Sequence, residues 1–187
     1  MKTTVVEPPT EEPLALDAAK DYLRIGHDGE DVLVEALIRS ARSRLEAELG
    51  LALVSRTLKT QLTSWPSSLL QRGMRLEPAP VSALLGVESV SSSGARDNLT
   101  GRFHLQENRL CLRSWGFVSA VPDGGHIEIT FRSGFGGADA VPDDLILAVK
   151  MLAAQGYHLR DGGPGGAETA LPVEIDELLA PYKGVRL

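Results

Sequence analysis

The chain has 187 residues, 43% of them hydrophobic and 24% charged, with a formal net charge of -6. That length fits one domain able to bury roughly 70% of the surface its unfolded form exposes, so neither disulfide nor metal is needed to hold a core. The single cysteine, Cys111, excludes an internal disulfide, and the acidic balance disfavours free-standing nucleic-acid binding because phosphate is repelled on average.

Residues 1–13 are polar and contain Pro8, Pro9 and Pro13. Proline fixes its own φ and turns the preceding residue away from helix, which predicts an extended N-terminal arm. Met1-Lys2-Thr3-Thr4 lacks the charged-then-apolar order of a secretion signal, and no apolar run approaches the ~20 residues of a membrane span. The expectation is a cytoplasmic product with no membrane partner.

A short helix is predicted over 17–25, with Leu16, Ala19, Tyr22 and Leu23 as its apolar stripe and Gly26 to end it. A long helix is predicted over 28–49. Asp28 can cap its start, Leu33, Leu37, Ala41, Leu45 and Leu49 recur four apart with Val34 and Ile38 beside them, and Gly50 can stop it. Arg39, Arg42 and Arg44 read either as a contact surface for an acidic partner or as an ion-pair face with Glu35 and Glu46. From Leu51 the period changes to two. Strands are predicted within 51–64, 81–91, 103–105, 109–112 and 126–131, with turns at Ser92-Ser93-Gly94 and Glu107-Asn108. In the last strand Ile127, Ile129 and Phe131 face one way, Glu128 and Thr130 the other. A third helix is predicted over 142–160, with Pro142 at its start and Asp143 and Asp144 in its first turn. A glycine-rich linker over 161–166 then leads to an apolar segment.

This order predicts an α+β fold. Two N-terminal helices and one C-terminal helix form a mostly helical core, with antiparallel strands inserted over 51–132 and a flexible C-terminal arm. The expected divisions are an arm over 1–13, a main domain over 14–161, and a linker with its arm over 162–187. Leu171, Val173, Ile175, Leu178, Leu179 and Tyr182 make the arm apolar, yet so short a segment cannot build a core alone. It must dock on its own domain or on a partner.

No motif for catalysis, metal or cofactor stands out. The histidines at 27, 104, 126 and 158 are far apart in sequence. Gly134-Phe135-Gly136-Gly137 before a helix lacks the Lys-Ser/Thr of a phosphate loop and is followed by Asp139, Asp143 and Asp144. No Gly-x-Ser-x-Gly elbow occurs. The reading is a non-enzymatic protein without cofactor.

Four stretches carry a resemblance. They are Pro13 to Ile25, then Asp28 to Gly50 with Leu53-Val54-Ser55-Arg56-Thr57, then Ile127 to Gly136 followed by Val141-Pro142, and last Leu171-Pro172-Val173 with Leu178 to Lys183. In this order they resemble the head-tail connector, or adaptor, family of tailed phages, which includes the head-tail adaptors of gene transfer agents. Ala15 departs from the family's usual capping Ser or Thr, and Gly156 stands where a bulky aromatic is common. The resemblance implies a structural ring, commonly dodecameric, between portal and tail. Its partners would be the portal protein, a stopper or tail protein and further copies of itself, with DNA passing through the channel without specific binding. It also implies assembly in the host cytoplasm, a final place in the particle neck, and portal binding through Leu171, Val173, Ile175, Leu178, Leu179 and Tyr182. The alternative readings are a stopper or tail-completion protein of the same neck, a small enzyme whose site is invisible in sequence, and a nucleic-acid binder.

Overall fold

The computed structural model describes residues 1–113, 118, 120–159 and 171–183. The linker expected over 161–166 lies outside the described residues. In chain order the elements are β1 (Lys2–Glu7), α1 (Leu16–Leu23), α2 (Asp31–Leu49), β2 (Arg56–Leu62), α3 (Ser68–Arg72), β3 (Met74–Arg75), β4 (Val81–Val90), β5 (Arg96–Asn98), β6 (Phe103–Gln106), β7 (Arg109–Leu112), β8 (His126–Ser133), α4 (Asp143–Leu159) and α5 (Val173–Leu178). They fall into two compact units. A strand-rich unit comprises 1–10 and 55–135; a helical unit comprises 11–54 and 136–187.

The strand-rich unit is built around β8. An antiparallel sheet runs β1-β2-β8-β4-β5. Alternation in β8 puts Ile127, Ile129 and Phe131 on one face, where all three are fully buried. The register brings Leu62, Thr60 and Leu58 of β2 opposite them, so one face of the central strands is the wall of a core. Val87, Leu99, Phe103 and Leu110 belong to the same core, with Leu69, Met74, Leu76 and Val81, and Trp65 lies against Phe103 with ring centroids 5.3 Å apart. A smaller sheet, β3-β7-β6, carries Phe103 and Leu110. Its β6–β7 hairpin turns on Glu107 and Asn108 at φ 45 and 61, a left-handed pair that matches the natural twist of a hairpin. The Asn108 side chain also accepts the Val81 N–H at 2.6 Å, tying the hairpin to β4.

In the helical unit α2 packs against α4. Val34, Ile38, Ala41 and Leu45 of α2 are buried, as are Leu145, Ala148, Val149, Leu152 and Ala153 of α4. Leu33, Leu37 and Leu49 are only half-buried, so the inward face of α2 lies on the Val34 and Ile38 side of the predicted stripe. Gly156 explains the close approach: a Cβ there would meet Leu37 Cδ2 at 2.8 Å. The Tyr157 hydroxyl donates to Glu30 at 2.5 Å, joining the end of α4 to the start of α2.

The α+β class stands, but its arrangement differs from the expectation of one mostly helical core. The strands enclose a hydrophobic core of their own. Four local differences have physical causes. The first helix ends at Arg24, which takes the left-handed conformation at φ 59 and needs no Gly26. Asp28 does not cap α2; it is drawn to Lys20 at 2.6 Å, and the helix starts at Asp31. The N-terminal stretch is extended, and Lys2–Glu7 is paired to β2 as the edge strand of the sheet. Finally α3 and β5, five and three residues long, are too short for periodicity to reveal.

Candidate interaction surfaces

On the face of the sheet opposite the core, β8 places Glu128 among charged neighbours. Lys59 Nζ lies 2.9 Å and Arg96 Nη1 2.9 Å from Glu128 Oε2. Gln61 donates to Oε1 at 3.0 Å, and His126 Nε2 is 3.3 Å from the same oxygen. Glu88, directly opposite Glu128 in the register, would repel it; Arg96 bridges the two, with its second contact to Glu88 at 2.6 Å. Burial pushes the Glu128 carboxyl up, but hydrogen bonds from Lys59, Gln61, Arg96 and His126 outweigh it and hold the group at about 2. Such a carboxylate stays ionised through neutral pH and does not serve as a general acid or base there. Its work is to bind β2, β8 and β5 together.

Alternation along β8 placed Glu128 on the face opposite Ile127, Ile129 and Phe131, where it lies, but said nothing of its neighbours there. The missed signal is the set of cations and amides on neighbouring strands, which only the register brings together. Arg96 opens β5, a strand of three residues that carries no readable pattern.

Two further charge clusters lie in the helical unit. Lys20 of α1 is clamped by Asp28 at 2.6 Å and Asp31 at 2.7 Å. Hydrogen bonds to both carboxylates push its ammonium pKa up, and the Lys20 ammonium pulls Asp28 down. Arg42 lies between Glu12 at 2.6 Å and Glu46 at 3.0 Å. Its burial lowers its pKa, but the two carboxylates more than offset this. Arg42 is therefore spent inside the unit, and the contact-surface reading of that helix face fails for it. Arg39 pairs loosely with Glu35 at 3.6 Å with both side chains half-exposed, the ion-pair reading. Arg44 also has a partner within the chain.

The six C-terminal candidates divide. Ile175 and Leu179 are buried at 1% and 0% exposure, and α5 packs on α4. Val173 is 69% exposed, while Leu171, Leu178 and Tyr182 are half-buried. The Tyr182 phenol is pushed up by burial and by the Asp144 carboxylate at the start of α4. Lys183 pairs with Asp176 across the last turn. The segment is thus held to its own unit by two side chains, and the other four are at least partly accessible.

Among the described residues no group of three or more His, Cys, Asp or Glu side chains is placed to hold a metal ion. No described helix is long and apolar enough to cross a membrane.

Three solved structures contain chains similar to this one along its whole length. A chain of a structure described as the virion of a native gene transfer agent particle is 30% identical with a TM-score of 0.84; the match covers 100% of this chain and 97% of that one. A chain from the neck of an empty gene transfer agent particle, computed with C6 symmetry, is 29% identical at a TM-score of 0.82, with the same coverage. One from the neck of the native particle, computed with C12 symmetry, is 28% identical at 0.82, again with the same coverage. No family profile matches the chain, and no curated protein does.

Proposed function

Since this chain belongs to a family of gene transfer agent particle proteins found in the neck, we propose that it is the head-tail connector, an adaptor ring that docks beneath the portal and passes DNA on to a stopper or tail protein. The observation that carries this is the extent of the likeness. The match covers 100% of the chain and so includes both compact units, not one reusable module alone. The role is structural and non-enzymatic. Cyclic symmetry in the related necks supports a ring, commonly of twelve copies, in which each copy meets the next through two different surfaces. The net charge of -6 fits a channel along which DNA slides without adhering. Assembly would take place in the host cytoplasm before the ring joins the particle.

The C-terminal segment is the proposed portal contact. Ile175 and Leu179 anchor it to α4, which leaves Val173 and the accessible parts of Leu171, Leu178 and Tyr182 to meet the portal. Electron microscopy of the purified particle neck, with this chain located in the density, tests the whole reading. The expected result is a ring directly under the portal. Density one ring further along would make it the stopper instead, and pull-down by tail tube but not by portal would agree with that outcome.

A further inference from the structure

The strand-rich unit carries a cavity of about 590 Å³ between α3 and the β6–β7 hairpin. Arg72, Arg109 and Arg113 line it together with His104, Glu107 and Cys111. In a chain of net charge -6, three guanidinium groups beside one carboxylate reverse the local sign. Two of the three are held from behind. Arg109 donates to the Gly73 carbonyl at 3.4 Å and Arg113 to the Phe103 carbonyl at 3.1 Å. Among the described residues none of the three is ion-paired with a carboxylate. His104 Nδ1 is buried in the wall without a hydrogen-bond partner among those residues. Two guanidinium groups held from behind and a third beside them, lining one open cavity, form a socket for an anionic group.

The chain itself offers the matching anion. A cyclic ring joins copies head to tail, so each copy must present two unlike, complementary patches. Asp139, Asp143 and Asp144 cluster where α4 begins, and all three are exposed. None of them is ion-paired among the described residues. We propose that the arginine socket of one copy receives the acidic start of α4, residues 139–144, from the next copy in the ring. This rests on the ring reading above. It assigns the socket to copy-to-copy contact and leaves α5 for the portal.

The protein's own cysteine makes the test direct. Cys111, the sole cysteine in the sequence, lines the socket, and Ala140 is exposed within the acidic stretch. Rings of the full chain carrying Ala140→Cys, assembled on portal, are treated with a short bismaleimide. The expected product is a ladder of covalent multimers, absent from the native sequence and from Ala140→Cys with Cys111→Ser. In a second arm, Arg109→Glu with Arg113→Glu lowers ring yield at least tenfold, and adding Asp143→Arg with Asp144→Arg restores it. Rings that form but give no ladder overturn the proposal. So does a loss of rings that the swapped aspartates do not restore, if the native chain binds a duplex oligonucleotide or inorganic phosphate and the arginine variant does not. If the arginine variant fails to fold, the ladder decides alone, because that chain keeps every native charge. A native chain that forms no ring on portal sinks the connector reading first, an outcome distinct from a ring without cross-links.

Discussion

The Glu128 carboxylate ties acid stability to one position. Its folded pKa of about 2 lies below the ordinary 4.5. A depressed carboxyl contributes stability that is fully present above its unfolded pKa and is lost as pH falls through the folded one. The loss therefore falls between pH 4.5 and about 2. Its upper bound is about 3 kcal/mol, reduced by solvent screening of the half-exposed Arg96. Thermal unfolding of the native chain and of Glu128→Gln from pH 7 to pH 2 checks this. The variant is expected to be the less stable at pH 7, with the gap closing in that window; a constant gap would refute the assignment. Ala15 gives a second test. It occupies the N-cap position of α1 at extended torsions with no side-chain hydrogen bond. Ala15→Ser supplies the missing acceptor and should add about 0.5–1 kcal/mol by chemical denaturation. At this scale the sequence reading reached orientation but not environment. Alternation in β8 is local, whereas the partners of Glu128 come from β2 and β5 through the register.

Helix periodicity located α2 and its general inward side, and contact with α4 fixed which positions are deepest. Leu45 is fully buried and Leu37 half-buried. Leu45→Asp should therefore cost several kcal/mol and Leu37→Asp less, because only the first strands a charge in a dry core. Arg39→Ala should cost under about 0.5 kcal/mol, as an exposed pair contributes little. Denaturant midpoints of the three variants give the order, and equal losses would mean the helix is turned otherwise. Gly156 makes the α2–α4 contact sharper. Alanine there gains about 1 kcal/mol of helix propensity but presses on Leu37 Cδ2, the free end of a flexible side chain, so Gly156→Ala should be close to neutral. Gly156→Phe has no such escape and should destabilise by about 1–3 kcal/mol or more. Truncation after Gly166 removes Ile175 and Leu179 from the core and should lower stability by about 2 kcal/mol or more, alongside loss of portal binding. A truncated chain that unfolds like the native one and still binds portal would remove α5 from both roles. Helix ends were less legible than helix bodies. Asp28 and Gly26 have good capping chemistry, but an ion pair with Lys20 and a left-handed Arg24 settled those ends instead.

At the scale of the whole molecule, the α+β class could be read from the order of periods, and the neck assignment from motifs spread along the chain. The separate core of the strand-rich unit could not be read. Its buried residues come from α3, β2, β3, β4, the two hairpin strands, β8 and the segments between them, and only the strand pairing brings them together. In solution without portal, the chain is expected to be a monomer or a weak oligomer, with the portal templating the ring. Light scattering with and without portal measures this, and a tight two-fold dimer formed without portal would count against a ring adaptor. The chain's path between its units bears on how such proteins can exchange parts. Residues 55–135 form one continuous insertion, yet they carry only β2, β8, β4 and β5 of the sheet; β1 comes from the first ten residues. Recombination that swapped the insertion alone would deliver a sheet with the outer edge of β2 bare, an open template for pairing with other chains. The lineage of this unit is thus expected to be inherited with its N-terminus, and a graft of 55–135 into a relative should stay soluble only where the recipient's own first strand fits the β2 register.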